Sequence, residues 1–187
     1  MSKSGDAKQQ VMHELMQQLE SDHCQGAPDA PLILLEYGDF ECESCASAQL
    51  LTKNLIESFG DRMKLIFRHY PLTELHPHAE LAAEAAEAAA AQGRFWEMYG
   101  LLFRNCAHLK LEHMINYAQG LELDILRFKA EMRDRIYLQR VQEHRRSGDL
   151  LELRTTPAFF LNGKMIDVRF GLDHLKNAVW AATQMQV

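Results

Sequence analysis

Apolar positions change their spacing several times along the chain, and each change marks an element boundary. Val11, Leu15 and Leu19 recur on one face of a polar segment, which predicts an amphipathic helix over 1–20. Residues 21–31 contain Gly26, Pro28 and Pro31 and read as a loop. Leu32-Ile33-Leu34-Leu35 is a continuous apolar run bounded by Pro31 and Gly38, the pattern of a strand buried on both faces. Helical spacing resumes from Glu43 to Phe59 and stops at Gly60, a residue suited to terminating a helix. Met63 to Tyr70 reads as a second strand, and the helix before it is long enough to make the pair parallel.

A helical block follows. Ala79 to Gln92 is rich in alanine, preceded by Pro77 and closed by Gly93, and its small side chains permit close packing. Further helices are predicted over Arg94–Asn105, Glu112–Gln119 and Asp124–Ser147, with no internal repeat among them. Near the end the spacing turns strand-like. Ala158–Leu161 and Lys164–Asp167 flank Asn162-Gly163, a strong hairpin signal because both residues tolerate positive φ. Leu172 to Met185 is a last amphipathic helix. The pattern predicts an α/β protein whose sheet unit, 21–75 and 150–187, is divided by a helical insertion over 76–149, with 1–20 as an N-terminal helical extension.

Composition narrows the class. With 187 residues, 47% of them hydrophobic, the chain can bury a sizeable core, and 25% charged residues argue against widespread disorder. A net charge of -6 without a basic stripe argues against a nucleic-acid partner. The Arg140–Arg146 cluster, interrupted by Glu143, reads as a solvated helix face. No stretch reaches the ~20 apolar residues of a membrane span, so no membrane association is expected. Val11–Leu19 is too polar for a secretory signal, and the expected location is cytoplasmic, or periplasmic if the sequence is a processed form. Four cysteines are too few for a disulfide scaffold and, in a reducing compartment, point to catalysis, metal binding or plain packing.

The candidate chemistry centres on Cys42-Glu43-Ser44-Cys45, which follows a predicted strand and opens a helix. Cysteines at this spacing can close a disulfide across one turn. The unpaired N–H groups and dipole of the helix start favour a Cys42 thiolate, while Cys45, a turn further in, is expected to be more buried. Half of a structural zinc site has the same spacing, but a second pair is lacking, and Cys24 or Cys106 with a histidine would have to complete it. Two inert packed thiols are a further alternative. Glu36 lies in the apolar strand six residues before Cys42, where an acid must be neutral or partnered. It either sits beneath the cysteines and exchanges a proton with Cys45, or ends the strand facing solvent. Thr155-Thr156-Pro157 precedes the hairpin, and proline at a strand start is unremarkable. His76 and His78 could ligate a metal but read as polar loop residues. Phe95, Trp96, Met98, Tyr99 and Phe103 form an aromatic helix face that reads as core.

Taken together, Glu36–Cys45, Phe67-Arg68-His69-Tyr70-Pro71-Leu72, the Ala79–Gln92 helix with Gly93–Met98, and Thr156–Gly163 resemble the DsbA family in the same order. The resemblance covers about residues 21–180. It implies a thioredoxin fold with a helical domain inserted between its second and third strands, and a protein dithiol-disulfide oxidoreductase. It further implies that Cys42 attacks, Cys45 resolves, Pro157 is a cis-proline facing the pair, and Thr156 offers backbone hydrogen bonds to an extended substrate. Glu43 and Ser44 would face that substrate. The implied partners are protein or peptide thiols and disulfides and a redox partner, with no cofactor and no metal. Glu43-Ser44 departs from the family's usual Pro followed by Tyr or His. With Asp39 and Glu41 it should oppose the Cys42 thiolate and give an intermediate to reducing couple, nearer about -270 mV than about -120 mV. Cys24 and Cys106, extras for this family, read as structural or incidental thiols. Two rivals are a redox-inactive peptide- or metal-binding module on the same fold and a glutathione-dependent isomerase or transferase, against which both cysteines argue.

Overall fold

The computed structural model describes residues 18–184. Its centre is a five-stranded sheet in the order β1-β3-β2-β4-β5. β2 (Leu32–Gly38) and β3 (Met63–His69) run parallel, with Leu32 opposite Met63 and Gly38 opposite His69. The crossover between them is α1 (Glu43–Phe59), closed by Gly60 at φ 51 and a short 3₁₀ turn, Gly60–Arg62. β4 (Ala158–Leu161) is antiparallel to β2 and forms the predicted hairpin with β5 (Lys164–Ile166). Asn162 and Gly163 at its tip have φ of 46 and 79, as this turn requires.

β1 (His23–Gly26) corrects the reading of 21–31 as loop. It pairs antiparallel with β3, His23 opposite Phe67 and Gly26 opposite Lys64. A four-residue strand beside Gly26 and Pro28 has no period of its own; the edge of β3 supplies its hydrogen bonds. The sheet therefore has one strand before the two that the sequence predicts, and the helical insertion enters after β3 and leaves before β4.

The insertion comprises α2 (Ala79–Ala90), α3 (Phe95–Arg104), α4 (Leu111–Gly120), α5 (Ile125–Arg133) and α6 (Leu138–Leu150). α2 is its hub: Ala82, Ala83, Ala85, Ala86, Ala88 and Ala89 are all buried, so neighbouring helices approach closely on its small faces. His78 stands at the N-cap position of α2 without a side-chain capping bond, and the helix starts two residues beyond Pro77. The long helix predicted over 124–147 is two helices. Arg135 takes φ 53 at the break and directs its guanidinium to Glu80 and Glu84 on α2, whose carboxylates it pairs. The basic cluster is likewise only partly a solvated face, since Arg140 binds Glu87, Arg145 binds Thr73 and His144 is buried. α7 (Asp173–Gln184) returns to the sheet. The predicted helix over 1–20 lies almost wholly outside the described residues.

Period-two alternation in β2 sorts its side chains. Leu32 and Leu34 pack with Ala48 and Leu55 of α1, with Leu65 and Phe159 of the sheet, and with Leu175 and Val179 of α7. Leu35 and Tyr37 face the other way, against Ile66, Phe160, Leu151 and Leu153. Sheet and insertion are joined by a buried ionic chain. Arg68, fully buried in β3, donates to both carboxylate oxygens of Asp22 at 2.7 Å and to Tyr37 Oη at 3.0 Å. Tyr37 Oη in turn lies 2.8 Å from Ser147 Oγ of α6.

Candidate active site

The alternation that places Leu32 and Leu34 toward α1 places Glu36 there too. From β2 the chain turns through Gly38–Glu41 into α1. Phe67 leaves no room at Gly38, where a Cβ would stand 2.5 Å from its ring. Asp39 organises the turn. Its main-chain oxygen accepts from Cys42 N at 3.2 Å, and its carboxylate accepts from Glu41 N, Leu72 N and His76 Nδ1, each at 2.8 Å. Glu41 is held by His78, whose N and Nδ1 lie 2.6 and 2.8 Å from its two carboxylate oxygens. His76 and His78 are thus partners of the two acids before Cys42, as polar loop residues.

Cys42 is the N-cap of α1, with extended backbone, φ -88 and ψ 118. It is 9% exposed, whereas Cys45 one turn on is 0% exposed. Cys42 Sγ lies 3.5 Å from the main-chain oxygen of Thr156, in the loop before β4, and the Thr156–Pro157 bond is cis, as the resemblance implies. Glu43 and Ser44 are exposed beside it. The structure therefore brings Cys42, Cys45, Thr156 and Pro157 together, with Glu36 beneath.

Burial and hydrogen bonding separate the two thiols. The hydrogen bond from the Cys45 thiol, with further bonds involving Thr156 and the backbone at Ser44 and Cys45, brings Cys42 down to about 5 from an ordinary 9.0 despite its burial. Burial first, then the hydrogen bond and charge of Cys42, pushes Cys45 well up, and the Glu36 carboxylate adds to this. Glu36 is 0% exposed, and burial raises its carboxyl to about 8 against a lowering hydrogen bond from Tyr99. Tyr99 Oη donates to Glu36 Oε2 over a long 3.4 Å, and Oε1 has no hydrogen-bond partner among the described residues. The turn-setting role of Asp39 and the contact of Tyr99 with Glu36 were not legible in the sequence. An acid three residues before Cys42 was a signal, but Tyr99 sits on α3, 63 residues from Glu36, inside an aromatic face that reads as core.

Among the described residues, His23, His69 and Glu87 have ligand-type atoms within 4.8 Å of one another. Glu87 Oε1 is 2.7 Å from His23 Nε2 and 2.8 Å from His69 Nε2, while Oε2 takes Arg140 at 2.8 Å. These hydrogen bonds satisfy the buried carboxylate, and the Arg140 guanidinium balances its charge. Cys24 and Cys106 are partly exposed free thiols. Neither completes a four-ligand set with Cys42 and Cys45 among the described residues.

A thioredoxin-type sheet, a helix starting at a Cys-x-x-Cys pair and a proline loop facing it define a thioredoxin-fold protein with an inserted helical domain. The family model described as Thioredoxin matches residues 18–180, and the chain belongs to that family. Solved structures share the fold. BdbD from Bacillus subtilis superposes with a TM-score of 0.78 at 19% identity, covering 88% of this chain and 94% of that one. Alpha-DsbA1 from Wolbachia pipientis gives 0.78 at 20%, covering 90% and 94%. Alpha-DsbA2 from the same organism, described as a thiol-disulfide exchange protein, gives 0.79 at 16%, covering 97% and 99%. The fold is therefore DsbA-like. Among curated proteins, the Na(+)/H(+) antiporter NhaA 1 of Salinispora arenicola is 39% identical over 163 residues, 87% of this chain. The chain spans only 25% of that protein's length. No described helix is long and apolar enough to cross a membrane.

Proposed function

We propose that the protein is a thiol-disulfide oxidoreductase that exchanges disulfides with protein or peptide substrates through Cys42 and Cys45. The observation that carries this is the asymmetry of the pair: an acidic, partly accessible thiol at a helix start beside a buried, weakly acidic one. In the reducing direction the Cys42 thiolate attacks a substrate disulfide, forming a mixed disulfide and expelling one substrate thiolate. Once Glu36 has lost its own proton, Cys45 gives its proton to the Glu36 carboxylate, attacks Cys42 Sγ, closes the internal disulfide and releases the second substrate thiolate. In the oxidising direction a substrate thiolate opens that disulfide at Cys42, and the expelled Cys45 thiolate takes the proton back from Glu36.

The substrate face is formed by the Thr156–Pro157 loop and the exposed Glu43 and Ser44. Beside it, Thr155, Pro157, Met165 and Val168 line a cavity of about 480 Å³ that extends to β5. The neighbour named as a thiol-disulfide exchange protein, alpha-DsbA2, supports the same reaction. The antiporter name belongs to much longer proteins, and the chemistry assigned here is that of the segment they share with this chain. An acidity of about 5 for Cys42 falls between the roughly 3.5 of a strong oxidant and the roughly 7 of thioredoxin, which supports an intermediate couple. The test is trapping. Cys45→Ser should accumulate a mixed disulfide on Cys42 when offered a disulfide protein, and Cys42→Ser should be inactive. An adduct accumulating on Cys45 in Cys42→Ser would overturn the roles.

A further inference from the structure

Every half-reaction assigned above moves one proton between Cys45 and Glu36, and Glu36 must be reset from solvent before the next. Neither group reaches water, since both are 0% exposed. Around the carboxyl lie Gly38 and the Phe67 ring on one side and Tyr99 on the other, with Cys45 near enough for its charge to be felt.

One polar opening approaches this site. A cavity of about 180 Å³ enters between α1 and α3. Its inner wall includes buried Thr52 and Tyr99, and its rim carries the exposed side chains of Lys53, Glu57 and Arg104. That volume far exceeds the ~10–15 Å³ one water needs, and the hydroxyls and amides on its walls provide partners for water. Tyr99 is thus a wall of a hydratable cavity and the hydrogen-bond donor to Glu36.

We propose that the Tyr99 hydroxyl, together with this cavity, is the proton conduit between solvent and Glu36. The inference rests on the disulfide-exchange reading and names the path that reading requires. In the oxidising direction Glu36 gives its proton to the Cys45 thiolate. The Glu36 carboxylate then draws the Tyr99 hydroxyl proton across the 3.4 Å contact as the phenol oxygen accepts one from cavity water. The hydroxyl is regenerated, and the net change is one proton from bulk water to Cys45. In the reducing direction the same proton leaves. Burial, and then the Glu36 charge, pushes the Tyr99 phenol well above its ordinary value. It therefore passes a proton on without persisting as phenolate. The titratable groups facing the path are Glu36, Cys45 and Cys42 at its inner end and Lys53, Glu57 and Arg104 at its mouth. Tyr99 acts through Glu36 and is a positioning residue, not a catalytic one.

The test is stopped-flow resolution of a preformed mixed disulfide on Cys42 by Cys45, in H₂O and D₂O, using wild type, Tyr99→Phe, Glu36→Gln and the double variant. Phe keeps the ring in its aromatic packing and removes only the hydroxyl. Tyr99→Phe is expected to slow resolution about a hundredfold, the lower edge of acid–base contributions, with an altered solvent isotope effect and unchanged thermal unfolding. In the Glu36→Gln background it should have no further effect. Gly100→Leu tests the cavity separately. Its added side chain enters beside the flexible end of Arg104, the nearest atom at 3.1 Å from a Cβ, and should slow the same step. A wild-type rate in Tyr99→Phe or in Gly100→Leu overturns the conduit, as do additive effects of Tyr99→Phe and Glu36→Gln. Absence of exchange in the wild type itself would instead overturn the disulfide-exchange reading.

Discussion

Replacing Glu36 by Gln should make the protein more stable at neutral pH, although it removes an acid from the centre of the site. The folded chain holds the Glu36 proton up to about 8, against an ordinary 4.5. Between those values the folded state carries a proton that the unfolded chain has lost, so raising the pH favours unfolding. The stabilisation is complete below the unfolded value and is lost as pH rises through the folded one. Each pH unit in that window removes about 1.4 kcal/mol, so roughly 3 kcal/mol is gone by about pH 7. Glutamine has the same shape and no charge to bury, and its unfolding free energy should stay flat where that of the wild type declines.

The measurement is urea unfolding from about pH 5 to about pH 8. Both proteins should carry Cys42→Ser and Cys45→Ser, so that thiol titration stays out of the comparison. Groups that titrate alike in the two proteins cancel in the difference. The curves should meet at the acidic end and separate steadily above it. Parallel curves would show that Glu36 is not held protonated, and the proton role assigned to it would fall with them.

Other expectations follow from single contacts. Alkylation of Cys42 should reach half its maximal rate near pH 5, and Cys45→Ala should move that midpoint upward because the Cys45 thiol is the main stabiliser of the thiolate; an unmoved midpoint would put the cause elsewhere. Gly38→Ala should cost about 1–3 kcal/mol in thermal or urea unfolding, because its methyl would stand 2.5 Å from Phe67, and a neutral result would show that the ring can yield. Asp22→Ala removes the carboxylate that pairs with the buried Arg68 guanidinium and should cost about 3–5 kcal/mol; a loss within error would mean that the remaining partners of Arg68 compensate.

What the sequence made legible was whatever has a period or a local motif. The buried run Leu32–Leu35, the helix ended by Gly60, the alanine helix and the Asn162-Gly163 turn all appear as read. β1 escaped because four residues beside a glycine are too short for a period, and the exposed edge of β3 makes them a strand. The break at Asp134–Tyr137 escaped because Arg135 is an ordinary helix former locally; its left-handed conformation is tied to the distant Glu80 and Glu84. The cysteine pair and its helix-start position were local features. Tyr99 was placed in the core, correctly, but that its hydroxyl meets Glu36 depends on how α3 packs over the sheet.

The acids around Cys42 show why counting charges along a sequence gives an incomplete electrostatic argument. Asp39, Glu41 and Glu43 were expected to oppose the thiolate. In the folded chain the Asp39 carboxylate is engaged by two main-chain N–H groups and His76, and that of Glu41 by His78. Their fields are directed into those donors, while Glu43 is exposed and screened by water. Against them stand the Cys45 thiol and the backbone of the first turn of α1, in direct contact with the sulfur. At contact distance a fixed dipole outweighs a more remote, solvated charge, and Cys42 remains acidic at about 5. The Glu43-Ser44 pair therefore leaves the thiolate standing. Its effect on the couple has to be sought in how these exposed side chains meet a substrate as well as in the acidity of Cys42.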